Sequence, residues 1–266
     1  MRIPMIQIDA FTRVRFAGNP AAVCPLNAWL DDDTLLAIAQ ENNLSETAFF
    51  VADENDPDVD YQLRWFTPTQ EVDLCGHATL ASAYVVFHHL RPGVDQITFE
   101  SRSGPLRALK YHGALGLDFP VRPPRAGRAR SGLAAALGGT PDRVLLSERD
   151  DLLVFPKASD VAALNPDFRA LAAFGGCGFI ATAPGDDCDF VIRFFAPALG
   201  VDEDPVTGSA FCVAGPYWAD ALGKDRLTAR QISDRGGEVV VEMLGDGRLL
   251  IAGHCVEVLS GEMSLD

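Results

Sequence analysis

The stretch Asp73-Leu74-Cys75-Gly76-His77-Ala78-Thr79-Leu80-Ala81-Ser82-Ala83-Tyr84-Val85-Val86-Phe87 decides the fold. From Ala78 onward it carries no charge, so a helix here has no face suited to water and must be wrapped on every side. Its opening, Cys75-Gly76-His77, leaves first-turn N–H groups at the positive end of the helix dipole, which is a natural seat for an anion.

The same build returns at Thr207-Gly208-Ser209-Ala210-Phe211-Cys212-Val213-Ala214. Both stretches follow a Phe-X-Pro turn, Phe66-Thr67-Pro68 and Phe195-Ala196-Pro197. Ala48-Phe49 matches Phe179-Ile180, and Arg102-Ser103-Gly104 matches Arg235-Gly236-Gly237, in the same order. All these pairs lie roughly 130 residues apart, half of the 266-residue chain, so two copies of one domain-sized unit are expected. The copies are placed at residues 1–121 and 128–266, with Arg122-Pro123-Pro124-Arg125-Ala126-Gly127 as the linker and the C-terminal strand free to return to the first domain.

Around each apolar helix the pattern predicts short strands, among them Ile6 to Phe11, Leu44 to Val51, Tyr61 to Phe66, Gly178 to Thr182 and Asp189 to Phe195. Asp31-Asp32-Asp33 is the start of a helix that buries Leu35, Leu36, Ile38 and Ala39. Pro216 falls inside the second apolar helix, where it is expected to cost ~3 kcal/mol or to kink it. A sheet curled about a central helix is the packing that buries such a helix completely. The fold class expected is therefore α+β: two pseudo-symmetric domains, each a barrel-like, mostly antiparallel sheet around one buried helix.

Composition narrows the function. The chain is 48% apolar with a net charge of −15, its pI is near 4.6, and its basic residues are scattered, which argues against nucleic acid or an acidic membrane surface as a partner. Cys24, Cys75, Cys177, Cys188, Cys212 and Cys255 form no C-x-x-C and read as reduced thiols. No apolar leader precedes Ile3-Pro4-Met5-Ile6 and no run of 18 apolar residues occurs, so a cytoplasmic location is expected. His88-His89 and His112 read as surface or helix-end residues, and no spaced ligand set points to a metal.

Pseudo-twofold symmetry would aim the two helix starts, Cys75-Gly76-His77 and Thr207-Gly208-Ser209, at one shared cleft, where Gly76 and Gly208 let backbone N–H groups approach a substrate carboxylate. The candidates for a base are Cys75, His77, Asp73, Asp204 and Glu46. A symmetric two-thiol racemase is disfavoured because Thr207 stands where a second Cys would be needed. Glu46, set in the apolar segment Ala48-Phe49, suits a one-base proton shuttle; its counterpart in the second copy falls near Cys177. Arg64 and Arg193 precede the Phe-X-Pro turns and are expected to form ion pairs, with Asp73 or Asp204 as partners.

At these residues the chain resembles the phenazine-biosynthesis PhzF-like isomerases, relatives of diaminopimelate epimerase. The resemblance is carried by Gly18-Asn19-Pro20-Ala21-Ala22-Val23, Glu41 through Phe49, Arg64-Trp65-Phe66-Thr67-Pro68, Glu71 through Thr79, Glu203 through Ala210 and Ser233-Asp234-Arg235-Gly236-Gly237. It implies a homodimer of two-domain chains, no metal and no organic cofactor, and a small carboxylate-bearing substrate. It also implies Glu46 as catalytic glutamate, with His77, Asp204 and Ser209 in support. Cys75, Gly76, Thr207 and Gly208 would bind the substrate. The chain departs from the family at Phe211, where relatives often carry His, which makes the pocket near the second helix less polar. Two other readings stay open: an amino-acid or hydroxy-acid epimerase or racemase, and a binding protein of the same fold without turnover.

Overall fold

The computed structural model describes residues 1–176 and 178–265. The chain divides into two compact units, Met1–Asp118 together with the segment from Ala252 onward, and Phe119–Ile251. Cys177, near which the sequence places the counterpart of Glu46, lies outside the described residues.

The first unit contains β1 (Arg2–Ala10), β2 (Asn19–Leu26), α1 (Asp32–Asn42), β3 (Glu46–Ala52), β4 (Tyr61–Phe66), β5 (Glu71–Val72), α2 (Gly76–Val85), β6 (Gln96–Glu100), β7 (Leu106–Tyr111) and β8 (Ala114–Pro120). Its strands pair as β1–β2 antiparallel, β2–β3 parallel, β3–β4 antiparallel, β4–β6 parallel and β6–β7 antiparallel. The second unit contains β9 (Arg125–Ala126), α3 (Leu133–Leu137), β10 (Arg143–Leu146), β11 (Asp150–Val154), α4 (Ala158–Ala162), α5 (Phe168–Ala172), β12 (Gly178–Pro184), β13 (Phe190–Ala196), β14 (Val201–Asp204), α6 (Gly208–Leu222), β15 (Arg226–Gln231), β16 (Gly237–Gly245) and β17 (Arg248–Gly253). Its pairings run β10–β11 antiparallel, β11–β12 parallel, β12–β13 antiparallel, β13–β15 parallel and β15–β16 antiparallel. The same alternation in the same order is what an internal duplication produces.

The last strand, β18 (Cys255–Ser264), pairs antiparallel with β1 from Arg2↔Ser264 to Ala10↔Cys255 and so completes the first unit. The segment read as a linker is structured as well. Arg125–Ala126 pairs with β10, and the Arg122 N–H donates to the Cys212 carbonyl at 2.8 Å. That bond explains how Pro216 is tolerated: proline removes the N–H that would reach the carbonyl four residues back, and Arg122 supplies another. The helix therefore runs unbroken from Gly208 to Leu222.

Helix α2 packs against β1, β2, β3, β7 and β18; it is buried from His77 through Ala83 and at Val85. Thr79 and Ser82 turn their hydroxyls onto the Cys75 and Ala78 carbonyls, at 2.6 and 2.8 Å, which satisfies them without a polar neighbour. The chain then passes through a π-helical turn, Val86–Leu90, and stops at Arg91. Helix α6 is buried in its first half and at Trp218, and emerges to solvent at its C-terminal end, where Gly223 closes it with a φ of 62°.

Each sheet also has an outer face. In the first unit Cys24, Phe49 and Phe66 pack with Leu35, Ile38 and Ala39 of α1, whose start is capped by Asp31 accepting from the Thr34 N–H. Side chains alternate along a strand. With Phe49 turned toward α1, Glu46, Ala48 and Phe50 belong to the inner face; with Cys24 turned the same way, Asn19, Ala21 and Val23 do too. In the second unit α3, α4 and α5 cover the outer face around Phe155, Phe179 and Phe195.

The arginines before the two Phe-X-Pro turns hold equivalent positions in the two copies, with partners other than those expected. Arg64 makes a two-pronged contact with Glu71 (2.7 and 2.8 Å) and a third bond to Asp32, not Asp73. Arg193 grips Glu203 with two bonds of 2.8 Å, not Asp204, and reaches the Leu164 carbonyl. Each guanidinium also lies over the phenylalanine two residues on, Phe66 at 5.1 Å and Phe195 at 4.9 Å.

Among the described residues of the second unit, one carboxyl, that of Asp150, is buried with an oxygen left without a hydrogen-bond partner. Asp150 accepts from the Gly178 N–H with Oδ1, while its buried Oδ2 has no hydrogen-bond partner. Burial raises its pKa, against the pull of Arg149, Gly178 and Arg122. A folded-state pKa above the unfolded value favours the folded state at low pH and loses that advantage as pH rises through the folded value. Asp150→Asn keeps the acceptor for Gly178 and removes the charge. Its denaturation midpoint is expected to rise relative to the parent chain, and by more at pH 8 than at pH 4.

Candidate active site

Two strands and one helix start converge in the first unit. The β2–β3 pairing sets Ala21 beside Glu46, which puts inner-face Asn19 and Glu46 near the opening of α2. There Cys75 is the cap residue, its side chain making no capping bond, and His77 is the second helical residue.

Glu46 Oε2 lies 3.1 Å from His77 Nε2, with the side chains 18% and 5% exposed respectively. The approach is at ion-pair distance but lacks hydrogen-bond geometry, so both buried atoms are left without a hydrogen-bond partner. On the other side of the ring, Nδ1 is 3.1 Å from Asn19 Nδ2 and 3.5 Å from Cys75 Sγ. Ser45 Oγ donates to Asn19 Oδ1 at 3.3 Å.

Burial pushes the Cys75 thiol up to about 11, with the Glu46 charge adding to it. Cys75 is therefore a neutral thiol at pH 7 and a weak base. For His77 burial works the other way; the Cys75 and Glu46 charges overcome it and raise the imidazole well above its ordinary value. When the ring holds a single proton, the Asn19 donor aimed at Nδ1 makes that nitrogen the acceptor and leaves the proton on Nε2, toward Glu46.

Glu46, Cys75 and His77 are also the one group among the described residues whose donor atoms, all within 4.8 Å of one another, could gather round a metal ion. Cys75 and Glu46 address different nitrogens of one ring, however, and a metal needs the thiolate rather than the thiol. The arrangement suits proton handling better than metal ligation.

In the second unit the opening of α6 is built differently. Thr207 Oγ1 donates to Asp204 Oδ2 at 2.6 Å, while the Thr207 N–H donates to Gln231 Oε1 at 2.8 Å. Gln231, fully buried on β15, also donates to the Asp204 carbonyl at 2.6 Å. Ser209 is half-buried in the first turn of α6. Phe211 is fully buried against Phe190, with ring centroids 6.1 Å apart, and so belongs to the core of this unit. The structure thus draws Glu46, His77 and Cys75 together, and separately Asp204 and Thr207. Asp73 is exposed, 3.9 Å from Arg102. Asn19, Ser45 and Gln231 were not singled out from the sequence, since polar residues in strands and turns carry no local mark of what they face.

An α+β chain of two repeated units, each a mostly antiparallel sheet packed against a buried helix, has the fold of the PhzF-family structures. The chain belongs to the phenazine biosynthesis-like (PhzC-PhzF) family, whose profile matches residues 8–261. A Pseudomonas aeruginosa protein named as an uncharacterized isomerase is 47% identical over 265 residues, covering 100% of both chains. The crystal structure of a PhzF-family phenazine biosynthesis protein from Enterococcus faecalis superposes with a TM-score of 0.94 at 42% identity, again covering 100% of both. A hydroxyproline epimerase from Agrobacterium vitis, solved with trans-4-hydroxy-L-proline, shares the fold at a TM-score of 0.61 and 11% identity, over 100% of this chain and 93% of that one. Among the described residues no helix is long and apolar enough to cross a membrane.

Proposed function

We propose that this chain is a cofactor-independent isomerase that moves a proton on a small carboxylate-bearing substrate, with Glu46 as the general acid and base. The observation that carries this reading is the Glu46–His77 pair, whose facing atoms are buried and lack hydrogen-bond partners beside a helix start with no side-chain cap. Glu46 takes the proton from a substrate carbon as carboxylate, the double bond shifts, and the resulting carboxylic acid returns the proton to a second carbon. His77 holds Nε2 3.1 Å from the same carboxyl, and the first-turn N–H groups at Gly76 and His77 receive the substrate carboxylate. In the second unit the proposal gives Asp204, Thr207, Gly208 and Ser209 to substrate binding and proton handling.

Incubation in D2O with a panel of cyclic and acyclic unsaturated amino acids tests the reading. Deuterium gained at one carbon with migration of the double bond is the expected result, while binding without exchange would point to a binding protein. The epimerase reading is favoured by one observation, the short Thr207–Asp204 contact, which supplies a hydroxyl with a carboxylate activator. Racemisation without migration of a double bond would establish it.

Cys75 separates the two readings further. A thiol held near 11 is not the base, so Cys75→Ser is expected to keep turnover within about tenfold of the parent chain in the same exchange assay, whereas a thiol-based epimerase would lose activity by orders of magnitude.

A further inference from the structure

The chain of groups behind His77 runs in one direction. Gly18 makes the turn into β2 with a φ of 66°, and a Cβ there would stand 2.2 Å from the Ala10 carbonyl oxygen, so the position admits only glycine. That turn delivers Asn19, fully buried, to the inner face. Ser45 immediately precedes Glu46 and donates to Asn19 Oδ1. With its oxygen occupied as an acceptor, the Asn19 amide presents its nitrogen to His77 Nδ1 at 3.1 Å.

From this geometry we infer that Asn19, oriented by Ser45, is a positioning residue that fixes the tautomer of His77, so that the ring carries its proton on Nε2, against Glu46. The inference deepens the proposed function, on which it rests for its bearing on turnover. An imidazole with Nδ1 filled by a donor has a single N–H to offer, and it faces the carboxyl that cycles between acid and base. Released from Asn19, the ring could carry its proton on Nδ1 instead and turn a lone pair toward Glu46, which repels the carboxylate and supports only the protonated acid. The shuttle needs both states of Glu46, so a wrong tautomer stalls one half of the cycle.

The direct test is the 15N spectrum of the His77 ring in the free protein, with signals assigned by their loss in His77→Gln. The parent chain is expected to show Nδ1 bare and Nε2 protonated once the pH is taken above the raised pKa of His77, where the ring holds a single proton. Asn19→Ala is expected to move the ring toward the other tautomer or a mixture, with kcat for exchange down ten- to a hundredfold and KM little changed. Asn19→Asp, which keeps the shape and replaces the donor by an acceptor, is expected to put a proton on Nδ1 and to shift the pH profile of kcat. Ser45→Ala gives the same change in weaker form and covers the case in which an Asn19 variant does not fold.

A parent chain whose singly protonated ring carries that proton on Nδ1, or folded variants whose 15N pattern matches the parent's, overturns the inference even if Glu46→Gln is inactive. Variants that change tautomer while Glu46→Gln still turns over would uphold the role of Asn19 and overturn the proposed function, so the two failures are told apart.

Discussion

In D2O with a substrate that the parent chain isomerises, Glu46→Gln is expected to lower deuterium incorporation by about 10²–10⁴-fold, the range that a positioned acid or base contributes. Glutamine matches the size of the side chain and keeps an oxygen that can accept from His77, so the substitution removes the proton carrier and little else. Glu46 opens β3, whose Thr47, Ala48, Phe49 and Phe50 are all buried, and the strand has its register set from both sides by β2 and β4. The far-ultraviolet circular dichroism and the denaturation midpoint should therefore stay at the parent values. Turnover within a few-fold of the parent would remove Glu46 from the chemistry and, with it, the proposed mechanism.

The largest effect on stability is expected at Arg193. Its guanidinium is 13% exposed and Glu203 19%, and the pair is held by two charge-assisted bonds with the Leu164 carbonyl as a third acceptor. Arg193→Met leaves a largely buried carboxylate and a carbonyl without their donor, at a cost of about 3 kcal/mol, because an uncompensated buried charge is worse than none. Removing both partners in Arg193→Met/Glu203→Met should recover a large part of that loss. Urea denaturation of the two single variants and the double variant completes the cycle. A single-variant loss below about 0.5 kcal/mol would mean that solvent screens the pair as it does at an open surface.

The duplication and its two enclosed helices were legible because they rest on local chemistry. An uncharged run from Ala78 to Phe87 has to be covered, and repeated Phe-X-Pro and Gly-X-Ala blocks at one spacing give a repeat whatever the packing. The cap at Asp31, the strand Tyr61–Phe66 and the Gly223 stop follow equally from residue type. Pro216 shows the limit of that reasoning. Its own sequence position forecasts a broken helix, and the group that prevents it, the Arg122 N–H, comes from about 90 residues earlier in the chain. Arg64 and Arg193 were legible as ion pairs but not as to partner, since several acids fall within reach along the chain and only the strand pairing selects Glu71 and Glu203.

The candidate site divides in the same way. Glu46 and His77 stand out in the sequence, the one as a carboxylate in an apolar strand, the other as an imidazole at a bare helix start. By itself the sequence determined which apolar runs must be hidden, because transfer from water depends on chemical type. Tertiary structure alone decided which hidden groups meet: that Glu46 faces Nε2 and Asn19 faces Nδ1, and that Cys75 is kept as a thiol. Hydrogen bonds and charge interactions act over a few ångströms, and distances that short between residues such as Asn19, Glu46 and His77 exist only once the strands have found their register around the helix.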